Sequence, residues 1–99
     1  MSMPSPTGRN WPEAIRPLEK RRQARVVASF AEYLAEDVRG HPNRAREAMG
    51  ALAEWCEGDP ELLAHARTEV VRDTREGRSA VVENNRHAIQ LLDLVRSAP

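Results

Sequence analysis

Two glutamate–histidine pairs are the residues of this chain whose types and spacing first suggest chemistry. Glu61 precedes His65 by four residues, and Glu83 precedes His87 by four. On a helix, this spacing places both side chains of a pair on one face. Carboxylate-bridged metal sites in helical bundles use a spacing of three, together with further inward-facing glutamates. The pattern here therefore favours surface ion pairs, and we expect no metal site and no bound cofactor.

The single cysteine, Cys56, is a candidate nucleophile, with His41 and His65 as candidate bases. Nucleophilic catalysis needs a base within hydrogen-bond reach and a third group that orients it, and the spacing supplies neither. A lone cysteine also excludes an internal disulfide. On an apolar helix stripe it is typical of a small buried residue in a reducing compartment. We therefore expect no catalytic residue, a non-enzymatic protein and a cytoplasmic location.

Membrane insertion is not expected, because no apolar run approaches the roughly 20 residues that a membrane-spanning helix needs. The chain has 99 residues, of which 30% are charged and 40% hydrophobic. This composition is typical of a folded, helix-rich single domain.

Three glycines divide the chain into segments of similar length: Gly40, Gly58 and Gly77. Each lies where one apolar stripe ends and the next begins, and Pro42 and Pro60 follow the first two. Glycine after a helix tolerates the left-handed conformation, and proline in a first turn has no N–H to lose. The punctuation predicts helices over about 17–38, 42–57, 60–76 and 79–97, after a short helix over 11–16.

Apolar residues repeat at helical spacing within these segments, and no alternating strand pattern is present. Asp59 is predicted to cap the helix that follows it. Asn85 lies on an apolar stripe, where we expect a polar group satisfied by a neighbouring loop or helix end. The predicted fold is all-α, a compact bundle of about five helices with antiparallel or steeply crossed neighbours. Residues 1–9 are predicted to be a flexible leader, and residues 10–97 a single domain.

The charge is zero overall but uneven along the chain. Residues 9–25 carry six basic and two acidic side chains, whereas residues 26–63 carry three basic and eight acidic ones. Opposite charges of this kind can pair head-to-tail between copies or with a complementary partner. The predicted basic interface consists of Arg16, Lys20, Arg21, Arg22 and Arg25. The predicted acidic interface consists of Glu32, Glu36, Asp37, Glu54, Glu57 and Glu61.

The last predicted helix carries apolar residues on more than one side. Ile89, Leu91 and Leu94 extend its apolar surface beyond a single stripe. A helix of this kind usually lies centrally or meets a partner. We therefore expect these three residues to form an apolar interface.

These observations favour a non-enzymatic interaction or adaptor module that binds a protein partner or assembles with itself. One alternative is a helix-turn-helix regulator or antitoxin, built on segments 42–57 and 60–76. Asp59 and Glu61 would then face phosphate, so nucleic-acid binding is disfavoured but stays open. Another alternative is an inhibitor or immunity-type protein that presents the acidic middle of the chain to a basic enzyme.

The layout resembles that of death-fold interaction domains of the caspase-recruitment type. The resemblance lies in the chain length, the break at Pro17, the short helices and the opposite charges. It implies a six-helix bundle and homotypic assembly through charged patches. This chain departs from that pattern because no break is predicted within residues 18–38.

Overall fold

The computed structural model describes residues 19–75 and 79–98. Four α-helices follow one another: α1 (Lys20–Gly40), α2 (Ala45–Trp55), α3 (Pro60–Arg75) and α4 (Ser79–Ser97). A 3₁₀ turn (Pro42–Arg44) precedes α2. Within the described ranges there is no strand, which confirms the all-α prediction. The predicted leader 1–9, the predicted helix 11–16 and Arg16 lie outside these residues.

The predicted helix over about 17–38, in which no break was predicted, is observed as one continuous helix from Lys20 to Gly40. The death-fold-like layout stays a prediction, since four α-helices are seen in the described part of the chain. The predicted helices over 60–76 and 79–97 match α3 and α4 closely. The second predicted segment, 42–57, begins instead as the 3₁₀ turn and becomes α-helical at Ala45.

Helices α1, α3 and α4 pack mutually and form the centre of the bundle, and α2 packs on α1 and α4. Lys20 and Glu61, each in a first helical turn, form an ion pair of 3.5 Å, so α1 and α3 begin at the same end. Arg67 of α3 bonds Asp93 of α4 at 3.0 Å, and the short connection makes these two helices antiparallel.

The turn between α2 and α3 has two successive left-handed residues, Glu57 with φ 51° and Gly58 with φ 71°. The Glu57 N–H donates to the carbonyl of Glu54, and the Gly58 N–H donates to that of Ala53. This is the Schellman pattern, with Glu57 rather than the glycine at the first position after the cap. Asp59 Oδ1 accepts the Glu61 N–H at 2.9 Å, which confirms the predicted helix cap.

The core combines small residues with a few large ones. Phe30 of α1 and Trp55 of α2 stack with ring centroids 3.5 Å apart and an interplanar angle of 12°. Many positions of α1 that face the other helices are alanine, and these let the helices approach closely. The buried apolar residues of α1 are Ala24, Val27, Ala28, Phe30, Ala31 and Ala35. The tight centre leaves the charged side chains along α1 at the seams between helices.

Candidate protein-binding surface around Tyr33

A chain of charged groups lies in the seam between α1 and α3. Nη1 of Arg25 donates to both carboxylate oxygens of Asp73, at 2.8 and 2.7 Å. The same nitrogen lies 4.0 Å from Glu69, which Arg72 also approaches at 3.5 Å. Burial acts to raise the pKa of Asp73, but the hydrogen bonds from Glu32 and Arg25, with the positive charges of Arg25 and Arg72, lower it overall. Asp73 is therefore a stable anion inside this network.

The carboxyl group of Glu32, which like Arg25 belongs to α1, also contacts Asp73. Burial first, and then the hydrogen bond to Asp73 and its negative charge, raise the pKa of Glu32 to about 7. Two carboxyl groups in contact need one proton between them. Below about pH 7 Glu32 is the group that holds this proton, since the Arg25 guanidinium stabilises the anion of Asp73.

Two asparagines of α4 pack against the same part of α1. Nδ2 of Asn84 donates to the backbone carbonyl of Glu32 at 3.0 Å. Asn85 is only 1% exposed, and its Nδ2 has no hydrogen-bond partner among the described residues. Glu32 Oε2 and Asn84 Oδ1 are also buried and have no partner in these ranges. The expectation that Asn85 is a fully satisfied polar group is thus wrong for its amide nitrogen.

Tyr33 stands on a ridge of α1 between two grooves. The side chain is 54% exposed, the largest exposed fraction among the large apolar residues of the described ranges. One groove, of about 440 Å³, runs between α1 and α4 and has Val81, 39% exposed, on its rim. The other, of about 260 Å³, runs between α1 and α2. Tyr33 lines both grooves.

Acidic side chains predominate on both sides of this ridge. Glu32 and Glu36 line the α1–α4 groove, where Arg39 is the basic residue. In the α1–α2 groove, Arg44 bonds Asp37 at 3.3 Å. The acidic residues that flank Tyr33 are Glu32, Glu36, Asp37 and Glu47. Within the described residues, Glu36 and Glu47 make no ion pair, and an exposed aromatic ring beside such carboxylates suits a basic protein partner.

The structure separates the predicted basic interface into paired and unpaired side chains. Lys20 pairs with Glu61, and Arg25 is held by Asp73. Arg21 and Arg22 are exposed at the beginning of α1 and make no ion pair within residues 19–75 and 79–98. These two residues line a third groove, of about 490 Å³, with Arg72 of α3. Of the predicted basic interface, Arg21 and Arg22 are therefore the residues whose charge is not paired within the described ranges.

The predicted acidic interface also divides into two groups. Glu32, Glu36 and Asp37 lie on the second half of α1, beside Tyr33. Glu54, Glu57 and Glu61 are exposed around the turn between α2 and α3. Because Lys20 contacts Glu61, this second group lies at the same end of the bundle as the basic run. Part of the charge separation seen along the sequence is thus neutralised within one molecule.

The predicted apolar interface on the last helix is corrected by burial. Leu91 is only 4% exposed and belongs to the core. Ile89 is half-buried and packs against the core, whereas Leu94 is 53% exposed. Helix α4 lies centrally in the bundle, so most of its extra apolar surface contacts α1, α2 and α3.

The groups that first suggested chemistry are surface pairs or buried. His65 lies 3.6 Å from Glu61, and His87 lies 3.7 Å from Glu83, which confirms two surface Glu–His pairs. Cys56 is 2% exposed, and burial, followed by the charge of Asp59, raises its pKa to about 12. No cluster of three metal-binding side chains occurs in the part of the chain that the structure describes.

In the helix-turn-helix interpretation, α3 would be the recognition helix that contacts nucleic acid. Its first turn carries Asp59 as cap and the exposed Glu61. This interpretation would use the arginines of α3 as phosphate contacts. However, Arg67 forms an ion pair with Asp93, and Arg72 forms one with Glu69. These pairs reduce the charge that the helix can offer to a phosphate backbone.

Sequence reasoning missed Glu69, Asp73 and Asn84 as parts of the charged seam, and Tyr33 as a candidate binding residue. Arg25 and Asp73 are 48 residues apart, and no local pattern connects them. For Tyr33, the available signal was its amphipathic side chain on the border of the apolar stripe.

None of the helices in the described ranges is long and apolar enough to span a bilayer. Comparisons of the chain with family models, with curated proteins and with solved structures found no match. The surface around Tyr33 is therefore the feature of the molecule that bears most directly on its function.

Proposed function

We propose that this protein is a non-enzymatic protein–protein interaction module whose binding surface is centred on Tyr33. The observation that carries the proposal is the exposed Tyr33 ring between two grooves bordered by carboxylates. Tyrosine is among the residues that most often dominate binding energy, because it offers a large, stiff apolar surface with a polar tip. Rigid helices hold it in place, so little order is lost on binding.

Charge supports the same proposal. Glu36 and Arg22 are exposed on α1 and make no ion pair within the described residues. Such charges are free to steer and orient a partner. Homotypic or partner assembly through oppositely charged helical surfaces, similar to that of death-fold domains, is the corresponding mode of action.

A basic protein, such as an enzyme held by an acidic inhibitor, is a second candidate partner. The carboxylates of Glu36 and Glu47 near Tyr33, which make no ion pair within the described residues, favour it. Identifying what contacts this surface separates a basic partner from a second copy of the chain.

Site-specific photo-cross-linking tests the function. The variant with benzoylphenylalanine in place of Tyr33 is expressed in the native host cells and illuminated. It should give discrete protein adducts. The same substitution at the exposed Gln90 on α4 is the matched control and should give fewer adducts or different ones. A lack of adducts at position 33 above those of the control would overturn the proposal.

A further inference from the structure

The outer face of α1 carries three residues at a regular spacing of seven. Arg22, Ser29 and Glu36 are all exposed. Seven residues make almost two helical turns, about 10 Å along the axis, with a rotation of only about 20°. The three side chains therefore point in nearly the same direction, away from the bundle.

The order of these residues is self-complementary when two helices run in opposite directions. A two-fold axis through Ser29 would bring Arg22 of each chain to Glu36 of the other. Contacts of this isologous kind occur twice in one interface. The small side chain of Ser29 at the centre lets two helices approach closely.

The charges that would form these pairs have no ion-pair partner within residues 19–75 and 79–98, whereas two other charged residues of α1 do. Arg25 is bonded to Asp73, and Asp37 is bonded to Arg44. Tyr33, one turn beyond Ser29, adds exposed aromatic surface beside the axis. Charge and apolar surface thus coincide on one face.

We propose that this face of α1 binds a second copy of the chain as an antiparallel, two-fold dimer with reciprocal Arg22–Glu36 ion pairs. The inference depends on the proposed interaction function and names one partner for it. It also differs from head-to-tail pairing, because an isologous contact closes at two chains whereas a heterologous one can continue to grow. A single helix face is smaller than a standard interface, so the dimer is weak and depends on concentration and salt.

Sedimentation equilibrium of the full chain, from low micromolar to near-millimolar concentration, tests this arrangement. The wild type should approach twice the monomer mass and stop there. Arg22→Glu and Glu36→Arg should each weaken association tenfold or more, because like charges then meet twice. The double variant with both changes should restore it, and so should an equimolar mixture of the two single variants.

Charge reversals away from this face are matched controls, since Arg46 on α2 and Glu83 on α4 are also exposed. Arg46→Glu and Glu83→Arg should leave association unchanged. A monomer mass throughout the range, growth beyond two chains, or insensitivity to Arg22→Glu would each overturn the two-fold dimer. If cross-linking at position 33 still captures another protein, the interaction function stands while this inference falls.

Discussion

Arg25 and Asp73 lie 48 residues apart, yet one guanidinium nitrogen bonds both oxygens of the carboxylate. This contact connects the first half of α1 to the last turns of α3. The Asp73 side chain is only 23% exposed, so solvent weakens the attraction less than it does for a surface pair.

We expect a coupling free energy of about 1 kcal/mol between Arg25 and Asp73. A double-mutant cycle with Arg25→Ala and Asp73→Ala, followed by urea unfolding, measures it. The cycle of Lys20 and Glu61 is the control, because both side chains are more than 60% exposed. Its coupling should be close to zero, and equal couplings in the two cycles would contradict the interpretation.

Glu32 predicts a pH dependence of stability. Its pKa in the folded chain is about 7, above the ordinary value of 4.5, so the folded state holds this proton more tightly than the unfolded state does. The resulting stabilisation is complete below the ordinary pKa and is lost as the pH rises towards about 7. Glu32→Gln keeps an uncharged donor towards Asp73 and removes this loss.

The variant Glu32→Gln should therefore unfold with nearly the wild-type free energy at about pH 5. At about pH 8 it should be more stable than the wild type, by about 1 kcal/mol after allowance for solvent screening of a half-buried group. Chemical denaturation at the two pH values measures the difference. Glu36→Gln, on the exposed side of the same helix, is the control, and an equal pH dependence in both variants would argue against the Glu32–Asp73 pair.

Two glycines should respond to alanine in opposite directions. Gly58 has φ 71°, and a Cβ atom there meets nothing within 4 Å, so Gly58→Ala costs backbone strain alone, about 1 kcal/mol. Gly50 lies inside α2, where a Cβ atom is also unobstructed. Gly50→Ala should stabilise the protein by about 1 kcal/mol through helix propensity. Thermal unfolding of the two variants decides, and a shift of the same sign in both would refute the assigned turn.

Cys56 should be unreactive while the bundle is folded. Its thiol is buried at the end of α2, and its pKa of about 12 leaves almost no thiolate near neutral pH. We expect a thiol-specific disulfide reagent to modify the native chain at the rate of unfolding and the urea-unfolded chain at once. Immediate reaction of the native protein would show that the end of α2 opens readily.

Local sequence chemistry predicted the helix punctuation well, because capping depends on a few neighbouring residues. Asp59 and Pro60 mark the beginning of α3, and the structure has both where they were expected. The residue after the α2 cap was assigned wrongly. Left-handed geometry usually selects glycine, but here the chain places Glu57 there and uses Gly58 one position later.

The candidate surface was predictable only in part. The basic and acidic residues of α1 were identified from composition, but their pairing depends on how α3 packs, and no spacing rule encodes that contact. Leu91 was predicted to lie on an exposed apolar interface, but the helices packed around α4 bury it. Tyr33 fits the edge of the apolar stripe by periodicity, and it is exposed because none of the helices in the described ranges covers it.

The stack of Phe30 on Trp55 gives the bundle a built-in optical reporter. An indole held rigidly against a second ring in an asymmetric core should show near-ultraviolet circular dichroism. That band would follow the docking of α2 on α1, and it originates from the Trp55 indole rather than from the Tyr33 phenol. Partner binding and loss of packing should therefore have different spectroscopic signatures in one sample.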